Sequence, residues 1–208
     1  LPMGRSPAPL RFEGDLVLFA YWLGLMRFAT VLAALDTGSS FEGMGAAREM
    51  FFSALAEPAF LLALAGLACV TGSLSLSAML PGPTAWATHG PALALMAAAF
   101  GIVILAENAR IPVDDPATHL ELTMIHEVMV LDHGGPDLAL IEYGAALKLW
   151  VMASVLANLL APFRPGAPWL DIPILLGVLL VLGVAIGVIE SAMARLRLAR
   201  VPHLLLSA

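Results

Sequence analysis

The sequence predicts an all-α, polytopic transmembrane protein with about five spans. Two observations carry that fold class. The chain is 60% hydrophobic and 12% charged, where a soluble domain carries roughly 25% charged residues. Its apolar residues are also gathered into runs near the ~20 residues that one helix needs to cross a hydrocarbon core. A soluble fold of 208 residues would need every one of these helices buried all round.

The elements follow in order. Residues 1–15 read as a proline-containing loop, without the charged n-region and apolar stretch of a signal peptide. A first span is expected over 16–35, apolar apart from Arg27. The second (58–80) and third (85–106) are uncharged. The fourth (138–163) is interrupted by Glu142 and Lys148, and the fifth (172–189) is uncharged. Together they predict one membrane domain over 1–208, with polar loops at 36–57 and 107–137. The stretch Asp36-Thr-Gly-Ser-Ser-Phe-Glu-Gly-Met-Gly45 reads as a glycine-rich turn. From there a helical pattern runs through Glu57-Pro58 into the second span.

Basic residues in short loops set orientation. One side receives Arg48, Arg110, Arg195, Arg197 and Arg200, the other Arg5, Arg11 and Arg164, so the first is expected to be cytoplasmic. Acids sort more sharply. Asp36, Glu42, Glu49, Glu57, Glu107, Asp114, Asp115, Glu121, Glu127, Asp132, Asp137 and Glu190 fall on or near the cytoplasmic side. Only Glu13, Asp15 and Asp171 fall opposite. Acids hardly steer insertion, so the asymmetry calls for another cause: a docking face, a proton path, or both.

The densest polar block is Glu107-Asn-Ala-Arg-Ile-Pro-Val-Asp-Asp-Pro-Ala-Thr-His-Leu-Glu-Leu-Thr-Met-Ile-His-Glu127. Ionisable groups beside a bilayer need partners, which makes this block the candidate site. Asp115-Pro116 is a good helix start and Gly134-Gly135-Pro136 a good stop. Between them a short re-entrant or surface helix is expected, with His119, Thr123, His126 and Glu127 on one face. A metal is not expected there. The run from His126 to His133 lacks the His-Glu-x-x-His spacing, and His119 and His126 would lie about 10 Å apart along the axis. A hydrogen-bonded polar network is the expected state. The lone Cys69 cannot form an internal disulfide, ligate a cluster or build a thiolate zinc site. No glycine-rich phosphate loop occurs in its structural context. Arg27 and Lys148 lie deep in their spans, at roughly 2.5–3.5 kcal/mol each on insertion scales. They serve either structural pairing with carboxylates on neighbouring helices or proton transfer along a hydrated path.

The string Glu107-x-x-Arg110-x-Pro112-x-Asp114-Asp115-Pro116-x-Thr118-His119-x-Glu121-Leu122-Thr123-Met124-x-His126-Glu127 resembles the signature of the membrane subunit of group 4 nickel–iron (NiFe) hydrogenases. These are the formate hydrogenlyase and hydrogenase 4 complexes, and the subunit is the counterpart of subunit 1 of complex I, NADH:quinone oxidoreductase. Supporting matches are Ala34-Leu-Asp36-Thr-Gly-Ser, Gly43-Met-Gly-Ala-Ala-Arg48-Glu49, Ala56-Glu57-Pro58 and Glu190-Ser-Ala-Met-Ala-Arg195-Leu-Arg197. The resemblance covers essentially the whole chain. Compared with complex I, Ala117 and His119 stand where acids occur and Val113 replaces a phenylalanine, which favours the hydrogenase branch.

The resemblance implies a subunit of about eight spans in the prokaryotic inner membrane, so this chain is expected to be truncated at both ends. It implies a noncatalytic part of an oxidoreductase complex, anchoring a soluble redox arm and linking it to proton translocation. The alternative it leaves is the quinone-site subunit of a complex I type enzyme. Implied partners are the hydrogenase large and small subunits, an iron–sulfur subunit and antiporter-like membrane subunits. The NiFe centre and iron–sulfur clusters belong to those partners, with no cofactor on this chain. The candidate proton path comprises Glu57, Glu107, Asp114, Glu121 and Glu142, with His119 and His126 as relays. Clustered acids in dry surroundings repel one another, which favours taking up a proton. Candidate docking residues are Asp36, Glu42, Arg48, Arg110, Asp114 and Asp115.

Overall fold

The computed structural model describes residues 11–114, 125–162, 167–194, 196 and 200–207. In chain order these form α1 (Asp15–Asp36), α2 (Ser40–Thr71), α3 (Pro83–Glu107), a 3-10 turn (Glu127–Val130), α4 (Gly135–Leu160), α5 (Pro168–Ala192) and α6 (Val201–Ser207). Helices α1 to α5 are long and apolar enough to cross a membrane, so the chain is a multi-pass helical membrane protein. α2 packs on α1 and α3, α3 on α4, and α4 on α5.

Local chemistry sets each boundary. Gly38 (φ +69°) helps turn the chain between α1 and α2, and Gly72 (φ +69°) ends α2 with its N–H on the Ala68 carbonyl at 2.7 Å. A left-handed residue is the common helix stop, and glycine adopts it without a Cβ penalty. α3 opens on Pro83 after Gly82 and breaks at His89 (φ −120°), two residues before Pro91, whose missing N–H and ring disrupt the ladder. The core gathers Phe60 and Leu64 from α2, Leu93 and Phe100 from α3, and Met152 and Leu159 from α4. The rings of Phe60 and Phe100 stack with centroids 5.5 Å apart. At the end where α1 begins, Asp15 accepts hydrogen bonds from Ser75 Oγ (3.0 Å) and the Leu76 N–H (2.6 Å). The outer faces are bare hydrocarbon: Leu62 is 72% exposed and Leu95 73%. α5 has no buried residue in its apolar window. Such faces suit lipid, which is as apolar as leucine.

At the opposite, polar end, α3 stops short. Arg27 bonds both Glu57 and Glu107, and Lys148 bonds Glu107. Counting from the polar ends of their helices at 1.5 Å per residue, Arg27 lies about 14 Å deep, Lys148 about 20 Å and Glu57 about 26 Å. Glu107, the last residue of α3, therefore sits well inside the bundle, and the segment that follows begins there. Irregular backbone at such depth is tolerated only where protein satisfies its polar groups. Here the Arg110 N–H reaches the Leu105 carbonyl (2.9 Å), Val113 reaches Arg110 (2.9 Å), and Leu196 reaches Pro112 (2.9 Å). Val201 and Leu205 of α6 close over this segment with Phe52, Ala56, Val113 and Ile125.

Three local expectations change. The glycine-rich stretch from Asp36 is mostly helix, because α2 already starts at Ser40. Gly134-Gly135-Pro136 opens α4 rather than closing a helix, with Gly134 extended before it and proline in its first turn. Of the expected helix over 116–133, residues 116–124 lie outside the described residues, and Glu127–Val130 is a single 3-10 turn.

Gly45 explains why the start of α2 is glycine-rich. A Cβ there would lie 2.3 Å from Val128 Cγ1, 2.9 Å from Met129 Cγ and 3.0 Å from the Ile125 carbonyl oxygen. Gly43, two residues earlier, faces open space. Gly45→Ala should overpack this contact and cost about 1–3 kcal/mol. Gly43→Ala should be neutral or stabilise α2 by up to about 1 kcal/mol. Thermal unfolding of the two variants in detergent checks the contrast; equal melting temperatures would mean that the turn adjusts freely.

Candidate functional site

Four helices bring charge to one place. Arg27 of α1 binds Glu57 of α2 through Nη1 and Glu107 of α3 through Nη2. Lys148 of α4 donates to Glu107 twice, to its carboxylate (2.9 Å) and its backbone carbonyl (2.6 Å). The second bond satisfies one of the carbonyls that a helix C-terminus leaves without a partner. The Arg27 and Glu107 side chains are 8% and 6% exposed, Glu57 49%. Buried pairs such as these add little net stability, yet removing one partner strands the other. Arg27→Leu should therefore cost about 3–5 kcal/mol, and Arg27→Lys less. The yield of folded protein extracted from membranes, compared across both variants, is the check.

Beside this ion-pair chain lies a cavity of about 240 Å³. Its walls include Thr30 from α1, Glu49 from α2, Glu107 and Asn108 at the end of α3, Arg110, Asp114 and His126 from the polar segment, and Glu142 and Lys148 from α4. The cavity thus brings together Glu107, Asp114, Glu142 and His126 of the expected path, with Arg110 of the expected docking set. Glu57 stands on the other side of Arg27, where the two share an apolar groove of about 730 Å³ between α1 and α2. His119, Glu121 and Asp115 lie outside the described residues.

The remaining expected residues do local work. Asp114 is 2% exposed, and its Oδ2 accepts the N–H groups of Ile125 and His126, both at 3.1 Å. It thus ties down the start of the 125–130 turn. Glu42 is fully buried, accepting the Asp132 N–H at 2.8 Å and the Thr37 hydroxyl. Both carboxylates point inward in this chain, whereas Asp36 is exposed at the end of α1. Arg48 is partly buried on α2. Arg110 reaches Glu190 of α5 at 3.4 Å. Among the described residues, no three His, Cys, Asp or Glu side chains are grouped to hold a metal ion.

Glu49, named in the sequence within a supporting match and among the acids of one side, was not among the expected path or docking residues, yet it lines the cavity. Its signal was present: it lies on the helical pattern of α2, about two turns before Glu57. Asn108, inside the polar block, was not among the expected site residues, although its Nδ2 bonds the Ile104 carbonyl at 2.8 Å and it lines the cavity.

The profile of the NADH dehydrogenase family matches residues 1–208. The chain belongs to this family, that of complex I subunit 1. Hydrogenase-4 component C of Escherichia coli (strain K12) is 37% identical over 166 residues, covering 78% of this chain and 51% of that protein. Formate hydrogenlyase subunit 4 of the same organism is 31% identical over 213 residues, covering 98% of this chain and 68% of that protein. The chain thus spans about half the length of the first relative and about two thirds of the second. Both relatives support the hydrogenase branch of the family, that of the group 4 membrane subunits.

Because Asp114 holds two backbone N–H groups, Asp114→Ala should free the 125–130 turn and cost about 1–2 kcal/mol. Asp114→Asn keeps an acceptor and should cost less. Limited proteolysis of membrane-embedded protein, read at the 125–134 segment, is the measurement; identical cleavage in both variants and the parent would exclude the role.

Proposed function

We propose that this chain is a noncatalytic membrane subunit of a membrane-bound nickel–iron hydrogenase complex, anchoring the soluble redox arm and coupling it to proton translocation in the prokaryotic inner membrane. The observation that carries the reading is the charged chain from Glu57 through Arg27 and Glu107 to Lys148 beside a polar cavity. A purely structural helix bundle gains little from four such groups at that depth. A path that takes up and releases protons needs them. Glu107, Asp114, Glu142 and His126, with Glu57 and the sequence-assigned Glu121 and His119, form the path in this reading. Arg27, Lys148 and Arg110 supply countercharge that responds when charge changes nearby.

The partners in this reading are the hydrogenase large and small subunits, an iron–sulfur subunit and antiporter-like membrane subunits. The NiFe centre and clusters reside on them. The face that carries Asp36 and Asp132, both exposed, is the side that docks the arm, and it is cytoplasmic. Electrostatic complementarity there sets register and encounter rate more than affinity. The names of both relatives, a hydrogenase component and a formate hydrogenlyase subunit, support this assignment.

The test separates turnover from translocation. Glu107→Gln and Glu142→Gln are placed singly in the assembled complex, and redox turnover and proton uptake into sealed vesicles are measured on the same preparation. Loss of proton uptake at least tenfold greater than loss of turnover is expected in Glu107→Gln. Unchanged uptake in both variants, or failure of both to assemble, would leave the acids structural.

A further inference from the structure

The groove between α1 and α2 differs from the rest of the outer surface. Its walls are apolar, with Tyr21, Leu25 and Phe28 from α1 and Leu61 from α2, yet Arg27, Glu57 and Glu107 also line it. Glu57 lies about 21 Å from one end of α2 and about 26 Å from the other. In a hydrocarbon core ~30 Å thick, that is close to the middle. Its side chain is nonetheless 49% exposed. Ionisable groups at such depth face protein or a water-filled space, so a groove that exposes one is not a lipid face in the assembled protein.

Two further features say what covers it. The first is unmet hydrogen bonding. Arg27 takes one Glu57 oxygen, Oε1, and the exposed part of the carboxylate is open to another donor. Arg27 itself is 9% exposed, and its buried Nε is a donor without an acceptor among the described residues. A group that answers both must donate to Glu57 and accept from Arg27. Hydroxyl and carboxamide side chains do both. An ammonium or guanidinium has no acceptor to offer, and a carboxylate has no proton to give and would be repelled by Glu57. The second feature is shape. Ala20 and Gly24 stand four apart on α1, and α2 adds Ala65 to the same groove. A Cβ on Gly24 would meet nothing within 4 Å. Small residues at this spacing let a second helix backbone approach closely inside a membrane.

We propose that the α1–α2 groove receives one transmembrane helix of a partner membrane subunit, which sets a Ser, Thr, Asn or Gln side chain against Glu57 and Arg27. The proposal rests on the reading of this chain as one subunit of a membrane complex. It goes beyond that reading by naming the contact surface and the chemistry of what it binds.

The test uses the assembled complex. A photoreactive benzoyl-phenylalanine replaces either Leu61 on the groove or Leu62 on the neighbouring outer face, and cross-linked peptides are identified by mass spectrometry. From Leu61 the expected product is a transmembrane segment of another subunit, with a Ser, Thr, Asn or Gln within one turn of the cross-link. Leu62 should capture that segment at least tenfold less. Gly24→Leu, at a position where a Cβ meets nothing in this chain, should lower co-purification of the same subunit at least tenfold, and Gly24→Ala should not. Adducts from Leu61 with lipid alone, with another segment of the same polypeptide, or with a helix lacking such a side chain overturn the proposal. So does a Gly24→Leu complex that retains every membrane subunit. A preparation that holds no other membrane subunit would sink the complex reading and this inference together. An unoccupied groove in a complex that does hold them sinks this inference alone.

Discussion

The Arg27 guanidinium is the constraint on which the polar half of this bundle depends. An arginine keeps its charge at any accessible pH, so a span that carries one about 14 Å below its end must bring carboxylates to it. Glu57 and Glu107 meet that need from two further helices, and Lys148 joins from a fourth. The packing of α1, α2, α3 and α4 at this level is thus tied to one chain of ion pairs, Glu57–Arg27–Glu107–Lys148. The apolar core of Phe60, Phe100 and Met152 packs beside these ion pairs.

Much of this was legible in the sequence, for reasons specific to each element. Spans are read from length and hydropathy, because lipid imposes both on any crossing helix, and five helices long and apolar enough to cross stand among the described residues. The second is shifted from the expected 58–80: α2 runs Ser40–Thr71, through most of the expected 36–57 loop, and ends at Gly72. Arg27 and Lys148 stood out because charge in such a run demands an explanation. The partners did not follow, since nothing in a linear chain says which acid lies beside which cation. The turn over 127–130 was misread as part of a longer helix because period 3.6 and period 3.0 differ little over a few residues. Gly134-Gly135-Pro136 punctuates equally well before a helix or after one. Glu49 was read only as part of a supporting match and of the acidic side, because its place in the cavity wall comes from the packing of several elements, which no local window contains.

The early end of α3 does structural work that hydropathy conceals. By stopping at Glu107, the helix leaves room between α1, α2 and α4 that a full-length span would fill. The polar segment enters that room, its carbonyl and amide groups met by protein, and the site is built from backbone turns at a depth normally reserved for helix. The charged side chains of the cavity gather at this gap, whereas the outer faces carry exposed apolar side chains such as Leu62 and Leu95.

The contact at Gly45 has a bearing on insulation. Backbone of α2 and the side chains of Val128 and Met129 meet there with no space for even a methyl group, and so none for a water molecule. A conducting site in a membrane is useful only if it does not short-circuit, and a dry, close-packed seam is the simplest dielectric barrier a protein can build. Water arriving beside the exposed Glu142 carboxylate finds no parallel wire along this seam. On the proton-path reading proposed above, one missing Cβ therefore helps to keep the cavity a compartment instead of a leak.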